Sequence, residues 1–353
     1  SEIRSSVRGG DLVMAKIGAR AGKCAVMPLN HPVGILAGNS LKISTNKDVL
    51  ITEYLYQLFT YLYNAGKIQK LLTETAQPAI SIATLKRFQI ACPPLPEQQK
   101  IASILTSADD VIETTQAQIE KLQDLKTATM NELLTKGIGH TEFKDSELGQ
   151  IPESWEVKRL SEICSKIQDG THFSPSTEGN EFKYITSKNI SMGRLDLDNV
   201  EMVSEIEHRK IYRRCDVRKN DLLLTKDGVN TGNVALNVLE EEFSILSSVA
   251  LIRPEQNICD FKYLLQFMMS DKAQVEISRQ MAGNAITRLT LDKINNFKIA
   301  VSPLPEQQKI ASILTSMDEQ IEQKQQKLAQ TQSLKTALMQ DLLTGTVRVE
   351  VDA

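Results

Sequence analysis

The sequence predicts an α+β fold in which two mixed α/β domains are separated by two long antiparallel coiled-coil helices. Three observations carry this. One stretch is spelled twice: Pro94-Leu95-Pro96-Glu97-Gln98-Gln99-Lys100-Ile101-Ala102-Ser103-Ile104-Leu105-Thr106-Ser107 returns letter for letter at Pro303–Ser316. Each copy opens a long segment with heptad-spaced apolar residues. A pair of short apolar strands joined by a glycine-bearing polar tip precedes each copy. A repeat of roughly 200 residues is too long for a solenoid unit, so it marks a duplicated domain-plus-helix module.

The helices follow from local chemistry. Pro96 and Pro305 stand where a helix starts, a place where the missing N–H costs nothing. Glu97 and Glu306 follow in the first turn, near the positive end of the helix dipole. Apolar residues then recur at Ile101, Leu105, Ala108, Ile112, Ile119, Leu122 and Leu133. The second copy gives Ile310, Leu314, Met317, Ile321, Leu328, Leu338 and Leu342. This is one seam wide, as a coiled coil requires. Thr115, Lys126, Lys324 and Lys335 interrupt it. Each helix of about 40 residues is roughly 60 Å long. Helix two starts where the second domain ends, so it buries its stripe most simply by running back along helix one. That gives a domain at each end and a pseudo-twofold axis. The alternative is two independent amphipathic helices, each packed on its own domain.

Composition bounds the class. The chain has 353 residues, enough for two cores, and a formal net charge of −3. That charge gives no global sign of nucleic-acid binding, so any DNA contact must come from local basic patches. No apolar run of about 18 residues occurs, so no membrane span is expected. There is no signal-peptide pattern. The five cysteines are scattered with no C-x-x-C pair, and the four histidines are isolated. This fits a reducing cytoplasm and argues against a metal site.

Along the chain, residues 1–93 form the first domain, 94–136 the first helix, 137–150 a linker, 151–302 the second domain, 303–345 the second helix and 346–353 a tail. In the first domain Gly10–Gly18 reads as a turn, a short apolar strand and a polar tip ending in glycine, with a second strand at Lys23–Met27. Asn220–Gly228 and Asn233–Leu236 match them in the second. Helical stretches follow at 53–70 and 261–279. Phe88–Ala91 and Phe297–Ala300 read as a strand before each helix start. The linker is broken by Gly137, Gly139, Gly149 and Pro152, and the lone Trp155 anchors a core. The second module carries residues 151–210 with no counterpart in the first. The first domain is therefore expected to be cut off at its amino end and unable to read its half-site alone.

At this point the residues resemble a known family. The duplicated P-L-P-E-Q-Q-K-I-A-x-I-L start is similar to that of the specificity subunits of type I restriction-modification systems. So are Ile151–Trp155, Gln168-Asp169-Gly170-Thr171-His172, Tyr184–Ile190, Asp221–Gly232 and Leu342–Gly345. The resemblance covers essentially the whole chain. It implies two target-recognition domains, each reading half of a split sequence in double-stranded DNA. It also implies that the helices dock two adenine methyltransferase subunits, here through Ile101, Leu105, Ile112, Ile310, Leu314 and Ile321. Restriction subunits join that core. S-adenosylmethionine, ATP and magnesium are expected on those partners, and no cofactor on this chain. A rod of roughly 60 Å suits half-sites about 34 Å apart once domain width is allowed for.

Catalytic signatures are missing. Cys92-Pro93-Pro94-Leu95 only superficially resembles the methyltransferase N-P-P-[FY]. Gly18–Cys24 looks like a phosphate loop, but it is one residue short between glycines. Cys24 also stands where a Ser or Thr would bind magnesium. What remains is polar loop chemistry for DNA. In the second domain Gln168, Thr171, His172, Ser187, Lys188, Asn189, Lys226, Asp227, Asn230, Thr231, Arg279, Asn284 and Arg288 are candidates. Lys16, Arg20 and Lys23 are their counterparts at the first tip. Asn and Gln pair with adenine and Arg or Lys with guanine, while each is also read as a phosphate contact or a solvated side chain. Arg209-Lys210, Arg213-Arg214 and Arg218-Lys219 form the densest basic run, a phosphate patch or a solvated face. Two other functions stay open: a coiled-coil scaffold for protein partners, and an enzyme with an unrecognised site. Replacing Lys226 and Asn230 by Ala weakens DNA binding under the first reading and changes nothing under the scaffold.

Overall fold

A computed structural model describes residues 6–74, 76–281 and 288–350. The chain divides into two compact units. One takes the residues up to Ile119 together with those from Gln323 onward, and the other takes Glu120–Glu322. The boundaries therefore pass through the two long helices rather than at their ends.

In the first unit, β1 (Ser6–Val7) pairs with β4 (Gly34–Ile35), and β2 (Leu12–Ala15) lies between β3 (Cys24–Val26) and β5 (Ser40–Ile43) in an antiparallel sheet. Leu12 and Met14 point inward, alternating with half-buried neighbours as a one-sided strand should. Helix α1 (Thr52–Asn64) lays Tyr54, Leu55, Leu58 and Phe59 into the core. A short α2 (Ile82–Arg87) is capped by the Ser81 hydroxyl, which accepts from Thr84 N–H at 2.9 Å. Helix α3 (Leu95–Lys136) then begins.

In the second unit a hairpin, β6 (Phe143–Ser146) with β7 (Gly149–Pro152), occupies the segment expected to be a plain linker. Next come β8 (Glu156–Arg159), α4 (Leu160–Ile163), β9 (Cys164–Asp169), β10 (Phe182–Ile185), β11 (Ile190–Ser191), β12 (Arg194–Leu195), β13 (Glu201–Val203) and α5 (Glu205–Tyr212). They are followed by β14 (Leu222–Thr225), β15 (Val234–Leu236), β16 (Ser244–Ile245), β17 (Val249–Pro254), α6 (Phe261–Met269), α7 (Asp271–Met281), α8 (Leu291–Asn295), β18 (Lys298–Val301) and α9 (Leu304–Thr344). The main sheet runs β15-β14-β17-β9, all antiparallel. Its β14 is buried on both faces, which fits the unbroken apolar run Leu222-Leu223-Leu224. Trp155 is fully buried in the core, as expected, and its Nε1 donates to Glu306 Oε2 at 3.0 Å.

Two differences between the units are instructive. The first sheet has three strands where the second has four, because nothing among the described residues takes the place of β9. The expected strand at 88–91 is also absent, although its counterpart β18 forms. β18 is held by β8, and the first unit offers no equivalent ladder partner among the described residues. An extended segment without a ladder is not a strand.

The duplication reaches individual hydrogen bonds. Pro94 and Pro303 stand 209 positions apart. Gln98 Nε2 donates to the carbonyls of Val49 and Pro93, and its Oε1 accepts from Ile51 N–H. Gln307 does the same with Ile258, Ser302 and Asp260. The Tyr54 hydroxyl donates to Ala91 O and the Tyr263 hydroxyl to Ala300 O. Gln57 donates to Asp109, and Gln266 to Asp318, both at 2.8 Å.

The lysines that interrupt the heptads also have an explanation. In the first unit Lys335 pairs with Asp109, and Lys324 donates to Gln118 Oε1 at 2.7 Å. In the second, Lys126 pairs with Asp318 at 2.5 Å. In the first unit partner numbers rise on one helix as they fall on the other, so the helices are antiparallel there. Paired polar residues in an apolar seam fix register at a cost in stability.

Candidate nucleic-acid interface

The register of the second sheet gathers its loops. Thr225 pairs with Val249, and Ala250 with both Leu224 and Asp169. So the end of β14, the start of β15, the start of β17 and the end of β9 share one sheet edge. Three loops leave from it: 170–181 after β9, the tip 226–233 between β14 and β15, and the 246–248 turn. The segment around Ser187 joins them, since its Oγ would lie 3.9 Å from a Cβ placed on Gly228.

The tip is a tight, self-bonded turn. Thr231 N–H donates to Gly228 O, Asn233 N–H to Asn230 O and Gly232 N–H to Thr225 O. Gly228 and Gly232 have φ of 103° and 100°, which a side chain would strain. The first unit repeats this bond for bond. Ala21 N–H donates to Gly18 O, Lys23 N–H to Arg20 O and Gly22 N–H to Ala15 O. Each tip root is pinned by the same bond, Leu289 N–H to Lys226 O and Ile80 N–H to Lys16 O. The glycine-rich Gly18–Cys24 stretch is therefore this turn leading into β3.

What differs is the chemistry displayed. The second tip shows Asp227, Val229 and Asn230, with Arg288 bridging Asp227 at 3.6 Å. The first shows Ile17, Ala19 and Arg20, with Ala79 where Arg288 stands. Thr231 is half-buried. Lys23 is exposed and Lys16 half-buried.

Several expected contacts lie elsewhere. Lys226 is 1% exposed, and its Nζ sits 3.3 Å from Asp169 Oδ2 inside the fold, so it is a buried counter-charge and not a surface contact. Asn189 is buried; its Oδ1 accepts from Thr186 and its amide donates to Asp196 O. Thr171 is buried too, bonded through its backbone to Ile245 and Ser247. Its hydroxyl donates to Phe173 O. Gln168 and Ser187 are half-buried, and His172, Lys188, Arg279 and Arg288 are exposed. Asn284 lies outside the described residues. The residues expected to face partner chains are likewise interior. Ile101 and Leu105 belong to the core of the first unit, and Ile310 and Leu314 to that of the second. Ile321 is buried and Ile112 half-buried. The first turns of each helix pack on a domain, which consumes that stripe.

The sequence reading passed over Asp169. It is 3% exposed and receives Arg214 Nη2 at 2.9 Å and His172 Nε2 at 3.1 Å besides Lys226. Around it the basic run is mostly neutralised: Arg209 meets Glu205 and Glu242, Lys210 meets Glu207, Arg218 meets Asp216 and Lys219 meets Glu240. Those pairs favour the solvated-face reading for most of the run. His208 is fully buried, stacked on Phe182 with ring centroids 3.9 Å apart. Its burial pushes the imidazole below its usual range despite the opposing pull of Glu242. Burial also lifts the thiols of Cys24, Cys215 and Cys259 to about 12, so they stay protonated. Among the described residues no group of His, Cys, Asp and Glu could hold a metal ion, and no helix is long and apolar enough to cross a membrane.

The two tips thus share one backbone pattern and differ in the side chains they show. A family model, the type I restriction-modification DNA specificity domain, matches residues 7–124 and again 152–332. The MjaVIII specificity subunit of Methanocaldococcus jannaschii is 28% identical over 350 residues, covering 98% of this chain and 80% of that protein. The putative MjaX specificity subunit of the same organism is 30% identical over 352 residues, covering 97% and 79%. The crystal structure of a type I restriction-modification S subunit from M. genitalium has the same fold, with a TM-score of 0.65 at 17% identity, covering 97% and 84%. The chain belongs to the type I restriction-modification DNA specificity family.

Proposed function

We propose that this chain reads the DNA target of a type I restriction-modification complex and performs no chemistry itself. One observation carries the reading. The tips at 18–23 and 228–233 have the same backbone bonds but different exposed side chains, Arg20 standing where Asn230 stands. A fixed frame with exchangeable side chains is what readout of two different half-sites requires. Asn pairs with the N6/N7 edge of adenine and Arg with the O6/N7 edge of guanine.

The methyltransferase partners are proposed from the repeat. Packing accounts for the identity of Gln98 and Gln307, or Ile101 and Ile310. It does not account for Gln99, Lys100 and Ser103, which are exposed and recur exposed as Gln308, Lys309 and Ser312. The same solvent-facing letters on two helices suit one partner bound twice. S-adenosylmethionine would belong to that partner. Co-expression with the methyltransferase, followed by sequencing of methylated adenines, tests the reading. A motif split by a fixed gap would show both domains reading, and a single half-motif would show the second domain reading without the first. A stable complex that modifies nothing would leave only a scaffold.

A further inference from the structure

We propose that the cleft between the 170–173 loop and α5 seats one backbone phosphate of DNA, gripped by Arg214, with His172 and Lys210 at its rim and Asp169 as the positioning residue. The inference rests on the DNA-reading role above and names the ligand of one part of that surface. The cleft has a volume of about 370 Å³ and is lined by Thr171, His172, Phe173, Lys210, Ile211 and Arg214.

Behind the cleft lies an unequal set of charges. The single carboxylate of Asp169 meets two permanent cations, Lys226 at 3.3 Å and Arg214 at 2.9 Å, and the His172 imidazole at 3.1 Å. Lys226 is buried and neutralises Asp169 inside the fold. Arg214 is 51% exposed and is the excess charge facing outward. Its guanidinium is held from behind by Asp169. With the Gln168 amide oxygen turned toward it, Nε and Nη2 also donate there at 3.1 and 3.2 Å. A guanidinium fixed in this way loses little further freedom on binding, and the two N–H groups of Nη1 are left to donate to a phosphate. Lys210 adds a second cation, tethered to Glu207 at 2.8 Å. The half-exposed Phe173 ring offers an apolar wall of a size to suit deoxyribose. Lys226 also begins the tip, so the seat and the tip share one sheet edge. A phosphate contact there would set the register of the tip on the duplex without reading sequence.

The test uses the assembled complex with its methyltransferase and duplexes with and without the mapped target. Arg214→Ala should weaken binding to both by the same factor, about tenfold. It should lower the slope of log affinity against log salt by about 1 and leave the methylated motif unchanged. Lys210→Ala should give a smaller, equally uniform loss. Arg214→Lys should keep the slope and lose part of the affinity. The Lys226–Asp169 pair is intact in all three, so each should still unfold cooperatively, with the midpoint of Arg214→Ala lowered by the hydrogen bond that Asp169 loses. A motif that loses one base in Arg214→Ala would overturn the proposal in favour of base reading while leaving DNA recognition standing. Unchanged affinity and slope would overturn it as well. Failure of the unaltered complex to select any target would instead remove the reading on which the proposal rests.

Discussion

Replacing Gln307 by Ala should destabilise the second unit by about 4 kcal/mol, which makes it a sharp test of what the repeated motif is for. Gln307 is fully buried in the first turn of α9. Its amide nitrogen donates to Ile258 O at 3.0 Å and Ser302 O at 2.7 Å, and its oxygen accepts from Asp260 N–H at 2.9 Å. Truncation leaves three main-chain groups unsatisfied at about 1 kcal/mol each and opens a small cavity worth about another 1 kcal/mol. For a unit of this size that lowers the melting temperature by roughly 10 °C. Gln307→Glu should be no better, because its carboxylate faces two carbonyl oxygens. Denaturant titration followed by Trp155 fluorescence reads the unit directly, since the only tryptophan lies in its core. Gln98→Ala should cause a similar loss in the first unit, visible by circular dichroism. A loss below about 1 kcal/mol for Gln307→Ala would refute the reasoning. The identity of the two copies would then have to be attributed to their solvent-facing residues alone.

Three further outcomes are expected. Asn230→Arg should change one base of the methylated motif, with a discrimination of about 1–3 kcal/mol, and leave the unfolding midpoint within about 0.5 kcal/mol of the parent. Lys226→Met should cost about 3–5 kcal/mol, measured by denaturant titration, because Asp169 loses its buried counter-charge; any effect of Lys226→Ala on DNA binding should therefore come with loss of fold. Burial raises the Asp216 carboxyl, but the Lys166 hydrogen bond and the charges of Arg253 and Arg218 outweigh it and hold the group at about 2. A folded value below the unfolded one means the contribution is complete above about pH 4 and is lost as pH falls from there toward 2. After solvent screening it should amount to about 1 kcal/mol, and acid titration of Asp216→Asn should lack it.

What the sequence reveals depends on how local the cause is. The helix starts are legible because proline, a first-turn carboxylate and heptad spacing act within a few residues. The tips are legible because glycine at positive φ leaves its mark in the letters. The lysines of the seam are visible as interruptions, yet their partners Asp318 and Asp109 come from the other module, so no local pattern explains them. Lys226 misleads for the same reason. A lysine at a strand end before Asp-Gly reads as exposed until β9 brings Asp169 against it. The strand expected at 88–91 fails because a ladder needs a partner, and alternation in the chain does not reveal whether one exists. Arg214 sits in a basic run whose members look alike; only the fold distinguishes the one backed by a buried carboxylate from those paired at the surface.

The ion pairs of the seam are reciprocal. Asp109 and Lys126 belong to one module, Asp318 and Lys335 to the other, and each acid takes the base of the opposite module. A single module thus holds both an acid and a base, neither of which finds its seam partner within that module, and two copies would satisfy each other through an isologous contact. The polypeptide carries the bonding pattern of a homodimer of half-length chains, written end to end. The halves differ in the side chains of their tips, while the seam ties Asp109 to Lys335 and Lys126 to Asp318. Exchanging one tip domain for another should therefore be tolerated as long as those four residues stay.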